Sequence, residues 1–502
     1  MLITHKTRCF RQGMKNFGPD FVMSLRQSGN LKGEKVMLEK VIGNINNALY
    51  TYILIIMLVG CGLYFTFRTG FVQLRLLKQQ IKSVSEKPKD GKGVSSFQAL
   101  MVSTASRVGT GNIIGVSTAI CLGGFGSVFW MWVIAIIGGA SAFVESTLAQ
   151  IYKRKGPDGW YGGPAYYIET ALKSRWIAVL FSFFLIITYG IGFNMLASYN
   201  LQSTFSTYGF YDPVYSPWII GFLIAVLVGY CLFGGGKRIA NISSFLVPVM
   251  GIIYIAIAIF IVVINYSLLP GVIAKIFKEA FDIKAIFAGF SGSCVMYGIK
   301  RGLFSNEAGV GSAPNASASA EVSHPVKQGL VQILSVFLDT LLVCSATAFM
   351  CMCSGVEPTE ALSGAPYVQM SLQATLGDFG PVVITVAMIF FAFTTLLGNL
   401  YYVDQSMFFI MKKKPKKTIL YTYYVLASIV IVIGAGLSAD LLWSIADITM
   451  GVMALINIPV MLILGKYVFR ALKDYEKKLK SGEELVFKAE DINLPHKVDC
   501  WK

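Results

Sequence analysis

The chain has 502 residues, of which 55% are hydrophobic and 14% are charged, and its net charge is +16. A soluble domain cannot bury that much apolar surface, and the long apolar windows exclude a β-barrel, so the composition predicts an all-α polytopic membrane protein. The Lys and Arg residues lie in short clusters between apolar segments, which is typical of membrane-protein loops and excludes a nucleic-acid-binding surface.

Eleven apolar segments each approach the ~20 residues that cross the hydrocarbon core of a bilayer. Their predicted bounds are 47–66, 98–122, 126–151, 176–201, 217–235, 240–266, 283–303, 327–353, 379–410, 418–437 and 443–469. Two further stretches, 157–174 and 271–282, are predicted to be amphipathic or re-entrant rather than membrane-spanning.

The loops between these segments predict the orientation. Basic loops alternate with two loops that contain no Lys or Arg, 202–218 and 354–378. The positive-inside rule therefore predicts a cytoplasmic C-terminus and an extracellular N-terminus. Residues 1–36 disagree, because they hold seven Lys or Arg against two acids and contain no apolar run typical of a signal peptide. We interpret them as an extension outside the core, with Met37 as the candidate start.

After the first span, ten spans remain and divide into five plus five. An odd number of spans in each half forces the two halves into opposite orientations, which is the inverted-repeat arrangement of many secondary transporters. The expected domains are an extra helix with its linker, two repeats and a cytoplasmic tail, at 37–97, 98–266, 267–470 and 471–502.

The first repeat opens with the stretch "TASRVGTGNIIGVSTAI", residues 104–120. Gly109 and Gly111 weaken a helix there, so one hypothesis is that the helix unwinds at 108–112. The freed N–H groups at a helix N-terminus could then hold a carboxylate, and the freed carbonyls a Na⁺ ion. The alternative is that these glycines serve close helix packing. A phosphate-binding loop is excluded, because no Lys-Ser/Thr pair follows.

The second repeat opens with "KAIFAGFSGSCVMYGIKRG", residues 284–302, where Gly289, Ser291, Gly292 and Ser293 cluster in the middle of a span. Glycine-interrupted segments in corresponding positions of two repeats indicate a binding site. The polar stretch 302–325 follows. It is either a solvated connector or, as we favour, part of an inner gate.

Charged residues inside the apolar spans are few: Arg107, Glu145 and Asp339, with Asp404 near a span end. We expect Arg107 to form an internal ion pair with Glu145 or Asp339, and we group these residues with Glu307 as structural or gating charges. The adjacent hydroxyls of Thr394 and Thr395 either bond back to the preceding helical turn or form half of a sodium site.

Six motifs in order resemble the alanine or glycine:cation symporter family, the prokaryotic sodium/alanine symporters. They are "RVGTGNIIGVSTAI", "ESTLAQIYK", "GWYGGPAYYI", "RGLFSNEAGVGSAPNASA", "LDTLLVCSATA" and "FFAFTTLLGNLYY". The resemblance implies the leucine-transporter fold, a 5+5 inverted repeat, here with one additional N-terminal helix. It also implies co-transport of a small neutral amino acid with Na⁺ across the plasma membrane, with no enzymatic activity and no cofactor. We expect lipid as its surroundings and a functional monomer.

The resemblance also implies site residues. The amides of Thr110 and Gly111 would take the substrate carboxylate, and the second broken helix, near Phe290, Ser291, Gly292 and Ser293, would face the rest of the substrate. The sodium ligands would be the carbonyls of Ala105, Val108 and Phe391 and the hydroxyls of Thr394 and Thr395, with Asn112 as a candidate ligand for a second ion.

Some positions depart from the pattern of the family. Asn399 stands where many members carry Trp, Asp404 where Glu is common, and Ala197 and Tyr199 where Gln and Asn are frequent. We expect these positions, Asn399 above all, to line the pocket. The alternatives are a proton-coupled carrier with Asp339 or Glu145 as the relay, and sodium-coupled uptake of another neutral amino acid such as serine or glutamine.

Overall fold

The computed structural model describes residues 41–46, 48–88, 93–156, 159–289, 293–412 and 415–501. The predicted N-terminal extension, 1–36, and Met37 lie outside these ranges. Within them, the regular structure is helical apart from one antiparallel hairpin, β1 (Arg154–Gly156) and β2 (Gly159–Tyr161). The prediction of an all-α architecture is confirmed for this part of the chain.

The N-terminal half contains eleven named α-helices between residues 55 and 264. They are α1 (Ile55–Arg68), α2 (Val72–Arg75), α3 (Leu77–Val84), α4 (Ser96–Arg107), α5 (Val116–Gly123), α6 (Gly126–Ile151), α7 (Pro164–Ala171), α8 (Arg175–Leu185), α9 (Phe193–Ser203), α10 (Ser216–Leu232) and α11 (Gly235–Ile264). Short π-helical segments precede α1, α5 and α9, at Tyr50–Leu54, Gly111–Gly115 and Ile186–Gly192. Because the last of these joins α8 to α9, the pair forms one continuous helical span.

The C-terminal half contains the remaining described helices. They are α12 (Leu269–Ala280), α13 (Ile283–Ala288), α14 (Cys294–Asn306), α15 (Pro314–Ser317), α16 (Pro325–Val336), α17 (Ser345–Met352), α18 (Ala365–Leu376), α19 (Phe379–Met411), α20 (Lys417–Ala435) and α21 (Ala439–Ser481). A π-helical segment, Phe337–Cys344, joins α16 to α17, and single 3₁₀ turns lie at Tyr266–Leu268, Glu360–Leu362 and Ala489–Ile492.

Seven of the described helical segments are long and apolar enough to cross a membrane by length and composition. They are Gly126–Ile151, Arg175–Ser203, Gly235–Ile264, Pro325–Met352, Phe379–Met411, Lys417–Ala435 and Ala439–Ser481. The other four predicted spans fall on shorter or interrupted helices: α1, the pair α4–α5, α10, and the pair α13–α14. The total of eleven spans and their orientation therefore remain predictions.

Burial separates the central helices from the peripheral ones. The most apolar windows of α6 and α19 are two-thirds buried, whereas those of α11 and α20 are only 28% buried. Large apolar side chains such as Phe245 and Ile252 point outward from α11, and such a surface is stable in hydrocarbon. The centre of the bundle is therefore built from α4, α5, α6, α14 and α19.

The predicted non-spanning stretches and the C-terminal tail are ordered. Residues 159–171 form β2 and α7, and most of 271–282 belongs to α12. Beyond α21 the tail turns back onto the body of the protein, where Phe487 N donates to Ser323 O (3.0 Å) and Trp501 Nε1 donates to Gln150 O (2.8 Å). The tail is therefore part of the folded domain.

A candidate binding site where two helix breaks meet

The first break interrupts the helix that starts at α4. Ser95 caps α4 through a capping box with Gln98, and the helix ends at Arg107. Val108, with φ −75° and ψ 88°, turns the chain out of the helix, which resumes as the π-helical segment at Gly111. The hypothesis that the helix unwinds near 108–112 is confirmed in outline, with the break at 108–110.

One side chain holds this break open. Asn112 Oδ1 accepts from Gly109 N (2.8 Å), the donor that an unbroken helix would direct at the Ala105 carbonyl. Asn112 N donates to Gly109 O (3.1 Å), one position away from the Val108 carbonyl that it would bond in a regular helix. The carbonyls of Ala105 and Val108 therefore lose their normal helical donors, which makes them available to a cation.

The predicted second break lies between the end of α13 at Ala288 and the start of α14 at Cys294, and most of it falls outside the described residues. Phe290, Ser291 and Gly292 fall outside the described residues, and Ser293 caps the start of α14, where its hydroxyl accepts from Met296 N (3.3 Å). Ser293 is thus about 16 Å along the helix from Phe304, at 1.5 Å per residue. Ser293 does not line the central cavity, and its contact with the substrate stays a prediction.

A further interruption, which we call the second break from here on, follows α14. Glu307 has φ 53°, Gly309 has φ 85° and Gly311 has φ 93°, and helical structure resumes only at Pro314. These residues belong to the polar stretch 302–325, and every residue from 298 to 320 is buried. The solvated-connector interpretation of this stretch is therefore wrong over most of its length.

The two breaks are in direct contact. A Cβ on Gly111 would lie 2.8 Å from the Phe304 ring, so the residue must be glycine for the helices to approach this closely. The Ser106 hydroxyl lies 3.2 Å from Glu307 Oε1, and this contact joins the end of α4 to the start of the second break. The two interrupted helices therefore meet at the centre of the protein, and Phe304 and Glu307 make the contact from the second helix.

A small cavity lies at this junction. Its lining residues are Ser106, Arg107, Gly109, Thr110, Gly111, Phe193, Leu196, Ala197, Phe304, Glu307 and Thr395. Its volume is about 10 Å³, which is room for roughly one water molecule. The Phe304 ring packs between the rings of Phe193 (4.6 Å between centroids) and Trp443 (4.8 Å). An amino acid fits only when these walls move apart.

Helix α19 closes the side of the cavity opposite Gly111. A Cβ on Gly109 would overlap Thr395 Oγ1, and a Cβ on Gly398 would lie 2.6 Å from Ser106 N. The first break and α19 therefore touch at two points one helical turn apart. This is the place where the resemblance puts a sodium ion.

The two threonines of α19 differ in their hydrogen bonds. The Thr394 hydroxyl lies 3.0 Å from Phe390 O and 3.2 Å from Phe391 O, so it donates to the preceding turn of its own helix. Thr395 Oγ1 is buried and has no hydrogen-bond partner among the described residues. A buried oxygen of this kind needs a ligand, because an unsatisfied polar group inside a protein is costly.

The expected ion pair of Arg107 is not formed. Arg107 NH1 donates to Gln332 Oε1 (2.9 Å), and no described carboxylate lies within 4.0 Å of the guanidinium. Glu145 Oε2 instead accepts from Asn457 Nδ2 (3.1 Å). The prediction of direct pairing with Glu145 or Asp339 is therefore wrong.

Asp339 is held by uncharged donors. Its carboxylate accepts from Asn112 Nδ2 (2.6 Å), Ser305 Oγ (2.6 Å) and Thr340 Oγ1 (2.8 Å). Asn112 lies in the helix that resumes after the first break, and Ser305 lies at the end of α14, next to the second. Asp339 itself lies in the π-helical segment between α16 and α17. Its carboxylate therefore connects these three parts of the structure.

Asn399 lies behind the cavity rather than in its lining. Its Oδ1 is 2.7 Å from Ser106 Oγ, and its Nδ2 donates to Asn194 Oδ1 (3.0 Å). The side chain thus ties α19 to α4 and to α9. The expectation that Asn399 contacts the substrate directly is not supported by the set of lining residues.

One charged cluster was not anticipated from the sequence. Lys300 Nζ lies 2.9 Å from Asp447 Oδ2, and Arg301 NH1 lies 3.6 Å from Asp447 Oδ1. Arg301 also stacks over the Trp443 ring at 3.9 Å, and the Asn46 amide bonds the same carboxylate from the extra N-terminal helix. In the sequence, this cluster could have been inferred from the opposite charges near the ends of two predicted spans.

Comparisons with known proteins agree with this architecture. Residues 35–489 match the model of the sodium:alanine symporter family. The chain is similar to "Probable sodium/glutamine symporter GlnT" of Bacillus subtilis, with 41% identity over 93% of this chain and 96% of that protein. It is similar to "Sodium/alanine symporter AgcS" of Methanococcus maripaludis, with 33% identity over 88% of this chain and 98% of that protein.

A solved structure gives the fold. The crystal structure of MhsT in complex with L-phenylalanine matches with a TM-score of 0.55 at 14% identity, over 76% of this chain and 92% of that one. This likeness confirms the leucine-transporter-like fold of a polytopic membrane protein.

The match to the family model covers most of the sequence and describes sodium-coupled amino-acid symporters, which are transporters and not enzymes. The chain therefore belongs to the sodium:alanine symporter family.

Proposed function

We propose that this symporter takes up a small neutral amino acid of the alanine or glycine type together with Na⁺, by alternating access in the plasma membrane. The observation that supports this most is the junction of the two helix breaks, where backbone groups, one carboxylate and a hydroxyl without a partner among the described residues line a small cavity. The proposed orientation has the N-terminus outside and the C-terminus in the cytoplasm, and the proposed functional unit is a monomer.

The substrate's carboxylate is assigned to the start of the resumed first helix. The N–H groups of Thr110 and Gly111 lie where the helix dipole favours negative charge. The Thr110 side chain is oriented by Asn200, whose Nδ2 donates to Thr110 Oγ1 (3.1 Å). The Glu307 carboxylate, from the second break, is the negative group available for the substrate's ammonium. With Phe304 it replaces Phe290, Ser291, Gly292 and Ser293 in our assignment.

The Na⁺ ion is assigned to the contact between the first break and α19. Its ligands would be the released carbonyls of Ala105 and Val108, the Phe391 carbonyl and the hydroxyls of Thr394 and Thr395. All five are neutral oxygens, and unwound backbone carbonyls are a recurring Na⁺ site in transporters of this architecture. Because the Asn112 amide is already bonded to Gly109 N and Asp339, we assign it to holding the break open rather than to a second ion.

Coupling follows from this placement. A Na⁺ ion between α4 and α19 would draw together two elements that also form walls of the cavity, so its binding would favour the closed substrate site. By linkage, each ligand must then raise the affinity of the other by the same factor. The small volume of the cavity fits a closed arrangement that opens alternately to the two sides.

The test is uptake of labelled alanine, glycine, serine and glutamine into proteoliposomes under a Na⁺ gradient, a pH gradient without Na⁺, or neither. We expect alanine or glycine uptake driven by Na⁺ alone. The variant in which both Thr394 and Thr395 are replaced by Ala should lose most of its Na⁺-dependent uptake. Uptake driven by the pH gradient without Na⁺, or an unchanged Na⁺ dependence of the double variant, contradicts the proposal.

Glutamine is the second candidate substrate. The similarity to a protein named as a sodium/glutamine symporter favours it. So does the amide pair Asn399 and Asn194 directly behind the cavity, where Asn194 Nδ2 is buried and has no hydrogen-bond partner within the described part of the chain. In the same assay, competition of unlabelled glutamine with the uptake of labelled alanine distinguishes the two candidate substrates. Glutamine is the substrate if it competes at lower concentration than alanine itself.

A further inference from the structure

A second and larger cavity opens at the end of the molecule where α19 ends. Its volume is about 510 Å³, and it lies between the β1–β2 hairpin, α7, the first residue of α8 and the last turn of α19. It shares no lining residue with the central cavity. Nothing in the proposed transport cycle uses it.

The lining of this cavity is strongly basic. Arg154, Lys155, Arg175 and Lys412 line it together with the single carboxylate of Glu169, so the lining has a net charge of +3 (four cations less one anion). Glu169 Oε2 lies 2.7 Å from Arg154 NH1 and Oε1 lies 2.8 Å from Arg175 NH1. Partial burial raises the pKa of Glu169, but the bonds from Arg175 and Arg154 outweigh this and hold it below its ordinary value. Glu169 is therefore ionised and fixes both guanidinium groups.

Two of the four cations have no carboxylate partner among the residues that the structure describes. Lys155 and Lys412 are exposed, and within the described part of the chain neither has a carboxylate within 4.0 Å. Lys412 is held at the end of α19 in a left-handed conformation, with φ 56°. Two free ammonium groups beside two oriented guanidinium groups form a site for a multivalent anion such as a phosphate.

Aromatic rings line the same cavity. Tyr161 and Phe408 stack with centroids 4.1 Å apart and planes 10° from parallel, and Arg175 lies over the Phe409 ring at 4.5 Å. A free inorganic phosphate makes no favourable contact with aromatic rings. A ligand that carries apolar groups next to its phosphate can pack those groups against them.

The position of the cavity relative to the membrane identifies that ligand. Trp176, the residue after Arg175, is 72% exposed, and Phe183 on the same helix is 52% exposed. Exposed apolar side chains along α8 mark its lipid-facing side, and Trp is the residue that membrane proteins place at headgroup level. The basic cavity therefore lies at the depth of lipid phosphates.

We propose that this cavity binds the phosphate-bearing headgroup of an anionic phospholipid, with Lys155 and Lys412 contacting the phosphate. Arg154 and Arg175 add positive charge beside it, since their terminal nitrogens already donate to Glu169, to Thr170 and to the carbonyls of Phe409 and Ile410. Basic pockets at the membrane surface are a recurring form of lipid recognition. A bound headgroup would tie the end of α19, the helix of Thr395, to the start of α8 and to the hairpin.

The test measures thermal stability of the purified full chain in detergent with increasing phosphatidylglycerol, phosphatidylcholine or inorganic phosphate. The test variant carries Lys155→Gln and Lys412→Gln. The matched control carries Lys473→Gln and Lys480→Gln, which removes two exposed charges from α21 outside the cavity. We expect stabilisation by phosphatidylglycerol only, and a roughly thirty-fold higher half-maximal lipid concentration for the test variant than for wild type or control.

Two results overturn the proposal. Equal shifts of both double variants would mean that only general surface charge matters. Equal stabilisation by inorganic phosphate would mean that the site serves a soluble anion rather than a lipid. Because the assay measures binding and not transport, its outcome is independent of the proposed substrate and coupling ion.

Discussion

The two helix breaks at the centre of the protein are built in different ways. In the first, neither Gly109 nor Gly111 has a positive φ, and both positions need glycine because Thr395 and Phe304 leave no space for a side chain. In the second, Gly309 has φ 85° but a Cβ there would meet nothing closer than 3.7 Å. Space determines the two glycines of the first break, and backbone conformation determines Gly309, whereas Gly311 has both constraints because a Cβ there would lie 2.8 Å from Phe181.

The breaks also differ in what they offer to a ligand. The first presents backbone groups and is held open by an uncharged amide, Asn112. The second brings a carboxylate, Glu307, into the buried centre of the protein, where the hydroxyls of Ser106 and Ser312 (2.6 Å) bond it. In our proposal, the first break would bind the substrate's carboxylate and the cation, and the second would bind the ammonium.

The largest effect is expected for Gly109→Ala. The added methyl group would occupy the position of Thr395 Oγ1, so the first break and α19 could not come together. Na⁺-driven uptake into proteoliposomes should fall to background. Gly251→Ala is the matched control, because a Cβ at this position in α11 meets nothing within 4 Å, and its uptake should be that of wild type. Substantial uptake by Gly109→Ala would show that space does not determine the first break.

The next effect is expected for Glu307→Gln. This change keeps the size of the side chain and removes the charge assigned to the ammonium, and a hydrogen bond to a charged group contributes about 1.5–3 kcal/mol. The alanine concentration for half-maximal uptake should rise roughly 10- to 100-fold. The exposed Glu484→Gln serves as control. An unchanged half-saturation for Glu307→Gln would assign the ammonium to other groups.

Asn112→Ala should have an intermediate effect. Without the amide, Gly109 N can bond the Ala105 carbonyl again, so the first helix would tend to close its break and withdraw a proposed cation ligand. Loss of one such hydrogen bond corresponds to about 1 kcal/mol, and the Na⁺ concentration for half-maximal uptake should rise roughly 5-fold or more. If Na⁺ activation is unchanged, the amide does not hold the break open.

The smallest effect on transport is expected for Gly309→Ala. The site has room for the methyl group, and only the left-handed backbone is disfavoured, by about 1–2 kcal/mol. The variant should unfold at a temperature a few degrees lower while Na⁺ and alanine half-saturation stay at wild-type values. A loss of Na⁺ activation comparable to that of Gly109→Ala would remove the distinction between the two breaks.

The sequence predicted the first break but did not indicate the interruption after α14, for one physical reason. Gly109 and Gly111 lie in an apolar window, where a poor helix is conspicuous. The same criterion selected Gly289–Ser293 in the second repeat. The interruption after α14 instead lies in a polar stretch, whose composition predicts exposure to solvent. Its residues 298–320 are buried by the surrounding helices, and burial of a polar segment depends on tertiary packing.

The partners of buried polar side chains could likewise not be predicted from the sequence. Arg107 and Asp339 were recognised as buried charges, but their partners, Gln332 and the hydroxyl and amide groups around the carboxylate, depend on which helix faces they occupy. Asn399 was expected in the pocket wall and lies one layer behind it. The pairing of Asp447 with Lys300 was missed because the two are far apart in sequence.

The central claim is that Thr395 provides an oxygen to Na⁺ at the first break, and Na⁺ activation of alanine uptake in two variants tests it most directly. Thr395→Ser keeps the hydroxyl, and Thr395→Val keeps the shape without it. We expect wild-type Na⁺ half-saturation for the serine variant and a rise of roughly tenfold or more for the valine variant, since a buried ligand oxygen is lost. Equal Na⁺ half-saturation in the two variants would contradict the account.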